Sequence, residues 1–252
     1  MTKFLILAHA AAFSLIVTVY SGMTNFADIA DAMAFYGIYH RNPVNQVIHF
    51  FGVPCISWSL MYFLCHLELP FLNGVTINIP LAPKHHLNYS TVLIIEYVMF
   101  YLKLDLFGGS MYAPFAYLLY VTAVSVTIND QRKALEGMAK KQDDNHKQDQ
   151  FGPCKTRLGK SWKLALFLHL LGWYVQIHPG HAIYEGAKPA LAESFGQAIA
   201  SGPLFAYYEG LWYLGMNKKL QEEIRNLVDV YTKELCGNGA SLRVCDQYIM
   251  NA

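Results

Sequence analysis

Charge is scarce in this sequence. Of its 252 residues, 15% are Asp, Glu, Lys or Arg, against about 25% in an ordinary soluble domain. Nineteen basic and 18 acidic side chains leave a formal net charge of +1. Without a basic excess there is no electrostatic footprint for nucleic acid, and no such partner is expected. The cysteines, Cys55, Cys65, Cys154, Cys236 and Cys245, are an odd set with no CxxC pair, which argues against a disulfide framework and a zinc knuckle. GxGxxG, Walker A, GxSxG and HExxH are all missing, and with them the commonest nucleotide, hydrolase and metalloprotease signatures. The three histidine boxes of membrane desaturases and hydroxylases, HxxxH, HxxHH and HxxHH, are absent too. No strand-like alternation and no internal repeat occur.

What is present is apolar. Hydrophobic residues make up 54% and aromatics 14% of the chain, with a mean hydropathy of +0.23. This composition excludes a disordered chain and points to several membrane segments. The first twenty residues carry one lysine and then an apolar run without a clear small-x-small cleavage site, so a retained span or interfacial helix is expected rather than a signal peptide. Further apolar segments cover 46–66, 90–104, 110–128, 162–178 and 196–216. The fold class expected is an all-α, polytopic membrane helical bundle of roughly four to six hydrophobic segments with a polar cytosolic loop. It divides into an N-terminal hydrophobic extension (1–33), a membrane-embedded domain (34–216) containing the polar loop 129–161, and a charged tail (217–252), within which 218–233 could form an amphipathic helix.

Eight of the 19 basic residues fall in 129–161 and five in the tail, whereas 67–89 holds only Lys84. The positive-inside rule therefore places the loop and tail in the cytosol and 67–89 in the lumen. Asn88-Tyr89-Ser90 is a glycosylation sequon on that lumenal side. Two full crossings by 90–104 and 110–128 would spoil this orientation. One of them is thus expected to be re-entrant or interfacial, or the two to form one long broken helix.

Two polar clusters interrupt the apolar pattern. In the first, His40-Arg41-Asn42-Pro43-Val44-Asn45-Gln46-Val47-Ile48-His49, Asn42 then Pro43 reads as an N-cap and a first-turn proline. His40 precedes that helix, and Asn45 and His49, at i and i+4, share its face. In the second, an apolar segment ends in His178-Pro179-Gly180-His181, where a break could aim two imidazoles at one point. His181 and Glu185 are again i and i+4. Pro203 and Glu209 interrupt the last apolar segment. Neutral imidazoles at the edges of apolar segments are costly unless paired or ligating, and imidazole suits Fe, Zn, Cu and Ni. The plain alternative is that each histidine bonds a backbone carbonyl. That reading is given to His9, His66 and His169, while His85, His86 and His146 are expected to be solvated. Glu96 and Glu209 stand out as carboxylates within apolar segments.

Taken together, the order YxxxH-x-NPxN-x-x-x-H, GH-x-x-x-E-x-x-x-PAL and P-x-F-x-x-x-E resembles the Mpo-like family of endoplasmic-reticulum membrane dioxygenases. The matching positions are His40, Asn42, Pro43, Asn45 and His49, then Gly180, His181, Glu185, Pro189, Ala190 and Leu191, then Pro203, Phe205 and Glu209. Ala187 stands where many members carry a basic residue.

The resemblance implies an Fe(II)-dependent dioxygenase of fatty acid α-oxidation, acting on a 2-hydroxy fatty acid with dioxygen and shortening it by one carbon, in phytosphingosine degradation. It implies His40, His49, His178 and His181 as metal ligands. Glu185 would be a further ligand or orient one, Asn42 and Asn45 would donate to the carboxylate or to bound oxygen, and Arg41 would be its counter-charge. Membrane lipid is the expected environment, with the endoplasmic reticulum membrane as location and self-association left open. Against this stand a non-catalytic transporter or scaffold with relay or structural histidines, and bis-histidine haem ligation.

Overall fold

The computed structural model describes residues 3–26, 28–72, 74–144, 159–238 and 245. Among them run eight α-helices: Lys3–Met23 (α1), Ile29–Gly37 (α2), Pro43–Leu64 (α3), Tyr89–Leu104 (α4), Leu106–Asp144 (α5), Trp162–Val175 (α6), Phe195–Tyr213 (α7) and Lys218–Gly237 (α8). The protein is an all-α membrane helical bundle. Helix α3 is its axis, with α6, α5, α7 and a π-helical turn at Gln176–Glu185 packed around it. Helix α1 lies on α7 and α4, and α8 lies on α2.

Among the described residues, three helices are long and apolar enough to cross a membrane: Lys3–Met23, Pro43–Leu64 and the Leu106–Gly137 part of α5. This is fewer than the four to six expected. The 16 residues of α4 reach only ~24 Å at a rise of ~1.5 Å per residue, short of a hydrocarbon core of ~30 Å, and the 14 residues of α6 run straight on into a more polar π-helical turn. Helix α7 has the length but is diluted by Gln197, Ser201 and Glu209.

Segments 90–104 and 110–128 form two separate helices joined through Asp105 alone. Asp105 caps the second by accepting from Gly108 N–H (2.6 Å). A Cβ at Gly109 would sit 2.6 Å from the backbone of Tyr101 and Leu102, so glycine lets the chain double back this tightly. The expected loop 129–161 begins as helix, because α5 continues to Asp144. That stretch is rich in Ala, Lys, Glu, Arg and Gln, all strong helix formers, and Arg132 and Glu136 pair at i, i+4 (3.8 Å). The rest of the loop, 145–158, including His146 and Cys154, lies outside the described residues. In the tail, α8 covers the helix expected at 218–233, and 239–244 and 246–252 lie outside the description.

Two expectations about 67–89 are corrected. The segment carries a small antiparallel hairpin, Thr76–Ile77 (β1) with His85–His86 (β2), and His85 is buried rather than solvated: its Nε2 meets the Tyr120 hydroxyl at 2.7 Å and its Nδ1 meets Pro83 O at 2.7 Å. Asn88 is also buried. Its Oδ1 caps α4 by accepting from Thr91 N–H (3.1 Å) and its amide nitrogen donates to His86 O (3.0 Å). The sequon asparagine is therefore committed to the fold. Cysteine usage differs from expectation as well: Cys236 is bonded to Cys245, while Cys55 and Cys65 are free.

Candidate metal centre

The local chemistry at the start of α3 is what the sequence dictates. Asn42 is the N-cap, its Oδ1 accepting from Val44 N–H (2.9 Å), and Pro43 occupies the first turn, where a missing N–H costs nothing. The chain direction changes here, so His40, just outside the helix, and His49, inside it, turn toward each other with ring centroids 4.3 Å apart. His181, from the π-helical turn, completes the set at 4.8 Å from His40 and 5.1 Å from His49. One ring nitrogen from each of the three lies within 4.8 Å of the others, and all three residues are buried.

Their protonation follows from their neighbours. His40 Nδ1 lies 2.9 Å from Tyr36 O, and His49 Nδ1 lies 2.9 Å from Asn45 O. A carbonyl only accepts, so each Nδ1 carries the proton and each Nε2 is a bare lone pair. Burial, together with the nearby His49 and His181 rings, holds the His40 imidazole well below its ordinary value. Burial does the same at His181, down to about 3. His40 Nε2 and His181 Nδ1 have no hydrogen-bond partner among the described residues. Unpaired buried nitrogens cost ~1–3 kcal/mol each, a penalty that coordination to a metal would remove. Neutral converging imidazoles, two of them backed by a backbone carbonyl, fit a metal ion with positions left for other ligands.

Two further contacts stiffen the group. The Tyr36 ring stacks on His40 at 3.9 Å with planes 9° apart. Phe205 packs against Tyr36 at 4.7 Å. Tyr36 lies one helical turn before His40 and is the first residue of the YxxxH element read in the sequence.

Glu185 joins the two chain segments without touching the point where the histidines converge. Its carboxylate accepts from Arg41 N–H (2.8 Å), Asn42 N–H (3.0 Å) and Asn45 Nδ2 (3.1 Å). These donors cluster at the positive end of α3, where a carboxylate is favoured. Asn42 donates its amide to Tyr184 O (2.9 Å). The donors of both asparagines, expected to face a substrate, are thus directed to protein acceptors. A Cβ at Gly180 would lie 2.5 Å from Asn45 Oδ1, so glycine there lets the two segments close. Arg41 forms an ion pair with Asp229 of α8.

His178 is not brought to the same point. It is exposed and stacks on Tyr174 at 5.5 Å. The reason is the wider turn: no break occurs at Pro179, and the helix passes into π geometry, closing with Gly186 N–H on His181 O (2.8 Å). In that register His181 faces inward and His178 outward. Glu209 is buried near the group, and both its carboxylate oxygens lack a hydrogen-bond partner among the described residues.

The three histidines stand at the meeting of several cavities. An apolar one of about 340 Å³ is lined by all three and runs on between α3, α4, α6 and α7. A wider one of about 950 Å³ opens beside His181 toward Lys188 and α8. A third of about 670 Å³ borders His40, Arg41 and Glu209.

Residues 26–211 match the family model described as 2-hydroxy-palmitic acid dioxygenase Mpo1-like. The 2-hydroxy-palmitic acid dioxygenase MPO1 of Saccharomyces cerevisiae is 23% identical over 208 residues, covering 82% of this chain and 94% of the yeast protein. No solved structure matches. All three converging histidines and Glu185 fall inside the matched region, which spans most of the chain: the protein belongs to the Mpo1-like family.

Proposed function

We propose that this protein is an Fe(II)-dependent dioxygenase that converts a 2-hydroxy fatty acid to the fatty acid one carbon shorter. The observation that carries this reading is the trio His40, His49 and His181, neutral and buried, at the head of an apolar cavity. Family membership and the yeast relative's name support it. The overall reaction balances without an added reductant. One 2-hydroxy acid and one dioxygen give the shortened acid, carbon dioxide and water, with the substrate giving up the four electrons that dioxygen takes.

His40, His49 and His181 would hold the iron. When bound, iron supplies a dioxygen-binding redox centre and a Lewis acid for the substrate's hydroxyl and carboxylate oxygens. Tyr36 keeps the His40 ring in plane and, with Phe205, excludes water from one side. Glu185 is a positioning residue that locks the π-helical turn to the start of α3. Asn42 and Asn45 complete the same lock. Arg41, bordering the cavity beside His40, offers a counter-charge to the substrate carboxylate from that side. The hydrocarbon tail occupies the apolar cavity. The three apolar helices support a membrane location; the endoplasmic reticulum, with the tail cytosolic, is the location we propose.

The test is metal analysis and turnover on one detergent-purified sample, with and without Fe(II) and a chelator, using 2-hydroxypalmitate. Near-stoichiometric iron with chelator-sensitive loss of one carbon supports the reading. Folded protein that binds no metal and turns nothing over refutes it and leaves the histidines structural.

A further inference from the structure

The apolar cavity has a direction. Its α3 wall is His49, Val53, Ile56, Ser57 and Leu60, spaced at i, i+4, i+7, i+8 and i+11, one face of one helix. His49 belongs to the histidine group, and the end of the cavity farthest from it along α3 is lined by Leu60 and Met61 with Leu93 of α4, of which Met61 and Leu93 are buried. That end is fixed by the fold, because α4 starts beside the end of α3, with Tyr89 N–H donating to Leu67 O (3.1 Å). From His49 to Met61 the wall is ~18 Å long at ~1.5 Å per residue.

Four polar side chains in the wall, His169, Trp173, Gln176 and Tyr97, have their hydrogen bonds met by the protein. Trp173 Nε1–H donates to His169 Nε2 (3.1 Å), which puts the His169 proton on Nδ1, facing Ser59 Oγ (2.9 Å). Gln176 donates to Gly172 O (2.9 Å) and the Tyr97 hydroxyl donates to Ile199 O (2.9 Å). The bore is lined mainly by apolar groups.

We infer that this channel is a ruler: the floor made by Leu60, Met61 and Leu93 sets the length of the acyl tail, and the channel suits a tail of ~14 carbons beyond the 2-hydroxy carbon at ~1.25 Å of advance per carbon of an extended chain. The inference rests on the proposed function for the identity of the head group, but the floor is a property of the cavity alone. A tail arriving from lipid gains little by leaving one apolar medium for another, so the selection is steric. A chain too long for the bore must buckle or withdraw its head from the histidines, at a loss of roughly tenfold or more for each methylene that does not fit.

The experiment uses the full chain in detergent, wild type, Leu60→Phe and Met61→Ala, against 2-hydroxy acids of 10 to 22 carbons. Two quantities are read: turnover with Fe(II), and displacement of a fluorescent fatty acid from metal-free protein. Leu60 is only half-buried, so Phe is tolerable there, and Met61→Ala covers the case in which Phe disturbs folding. We expect a wild-type optimum near 16 carbons, moved at least two carbons shorter by Leu60→Phe and longer by Met61→Ala in both readouts. Turnover with an unchanged length profile in folded variants overturns the ruler, as does failure of every length to displace the probe. Displacement that follows length and shifts in the variants, without turnover of any acid, upholds the ruler and overturns the dioxygenase reading instead.

Discussion

Replacing Glu185 by glutamine should loosen the metal centre without removing any ligand nitrogen. The carboxylate accepts three hydrogen bonds, from Arg41 N–H, Asn42 N–H and Asn45 Nδ2. Bonds to a charged acceptor are worth ~1.5–3 kcal/mol each. Glutamine keeps one oxygen and presents an NH2 group where the other had accepted, so one or two of the three fail and the favourable charge at the start of α3 is lost. The net cost is about 2–4 kcal/mol. For a chain of this size that lowers the melting temperature by about 5–15 °C. Because Glu185 fixes His40 and His49 relative to His181, affinity for a divalent metal should fall by about 10–100-fold. Thermal unfolding with and without metal, and metal titration of the chelated protein, measure both effects. Asn42→Ala is the comparison: it removes a helix cap worth ~1 kcal/mol together with the amide bond to Tyr184 O, and leaves the Glu185 carboxylate and its three donors in place. A Glu185→Gln protein that melts with wild type and binds metal with wild-type affinity would refute the reasoning.

His178→Ala should leave metal affinity within a factor of two or so, since a surface change rarely exceeds ~0.5 kcal/mol, whereas His181→Ala should abolish tight binding; metal titration of the two separates an exposed histidine from a converging one. The sequon at Asn88 should carry no glycan, so glycosidase treatment will not change the protein's mobility, and Asn88→Ala should cost ~1 kcal/mol through the lost cap, read as a lower melting temperature. If the tail is cytosolic, Cys236 and Cys245 are thiols in the cell, and a maleimide reagent will label both in unreduced membranes; labelling only after reduction would place the tail in the lumen.

The sequence carried the centre further than it carried the fold. Asn42-Pro43 announces a helix start on chemical grounds alone, and the positions of His40 and His49 around it follow. His181 was legible in the same way, but His178 was not separable from it. Both flank Pro179-Gly180, and only the wider π turn decides which faces inward, a change of register that a 3.6-residue period does not contain. Glu185 was visible as a neighbour of His181; its true partners lie at the start of α3, a contact made by tertiary packing. The overrun of α5 to Asp144 follows from its helix formers, whereas polarity alone does not separate an exposed helix from a loop. The burial of His85 had no local signal, since Tyr120 reaches it from another helix. The channel along α3 was hidden for a different reason: that helix is apolar all round, so hydropathy cannot say which face is hollow.

Helix α1 lies outside the region that the family model matches, residues 26–211. Yet it is built into the bundle. A Cβ at Gly22 would fall 2.1 Å from Gly196 O of α7, so the two helices cross backbone to backbone. One of its side chains, Leu15, lines the apolar cavity. The wall of the cavity is therefore divided between the matched region, which carries the three histidines, and a helix that lies before it. A change confined to α1 can reshape that wall while leaving His40, His49 and His181 untouched.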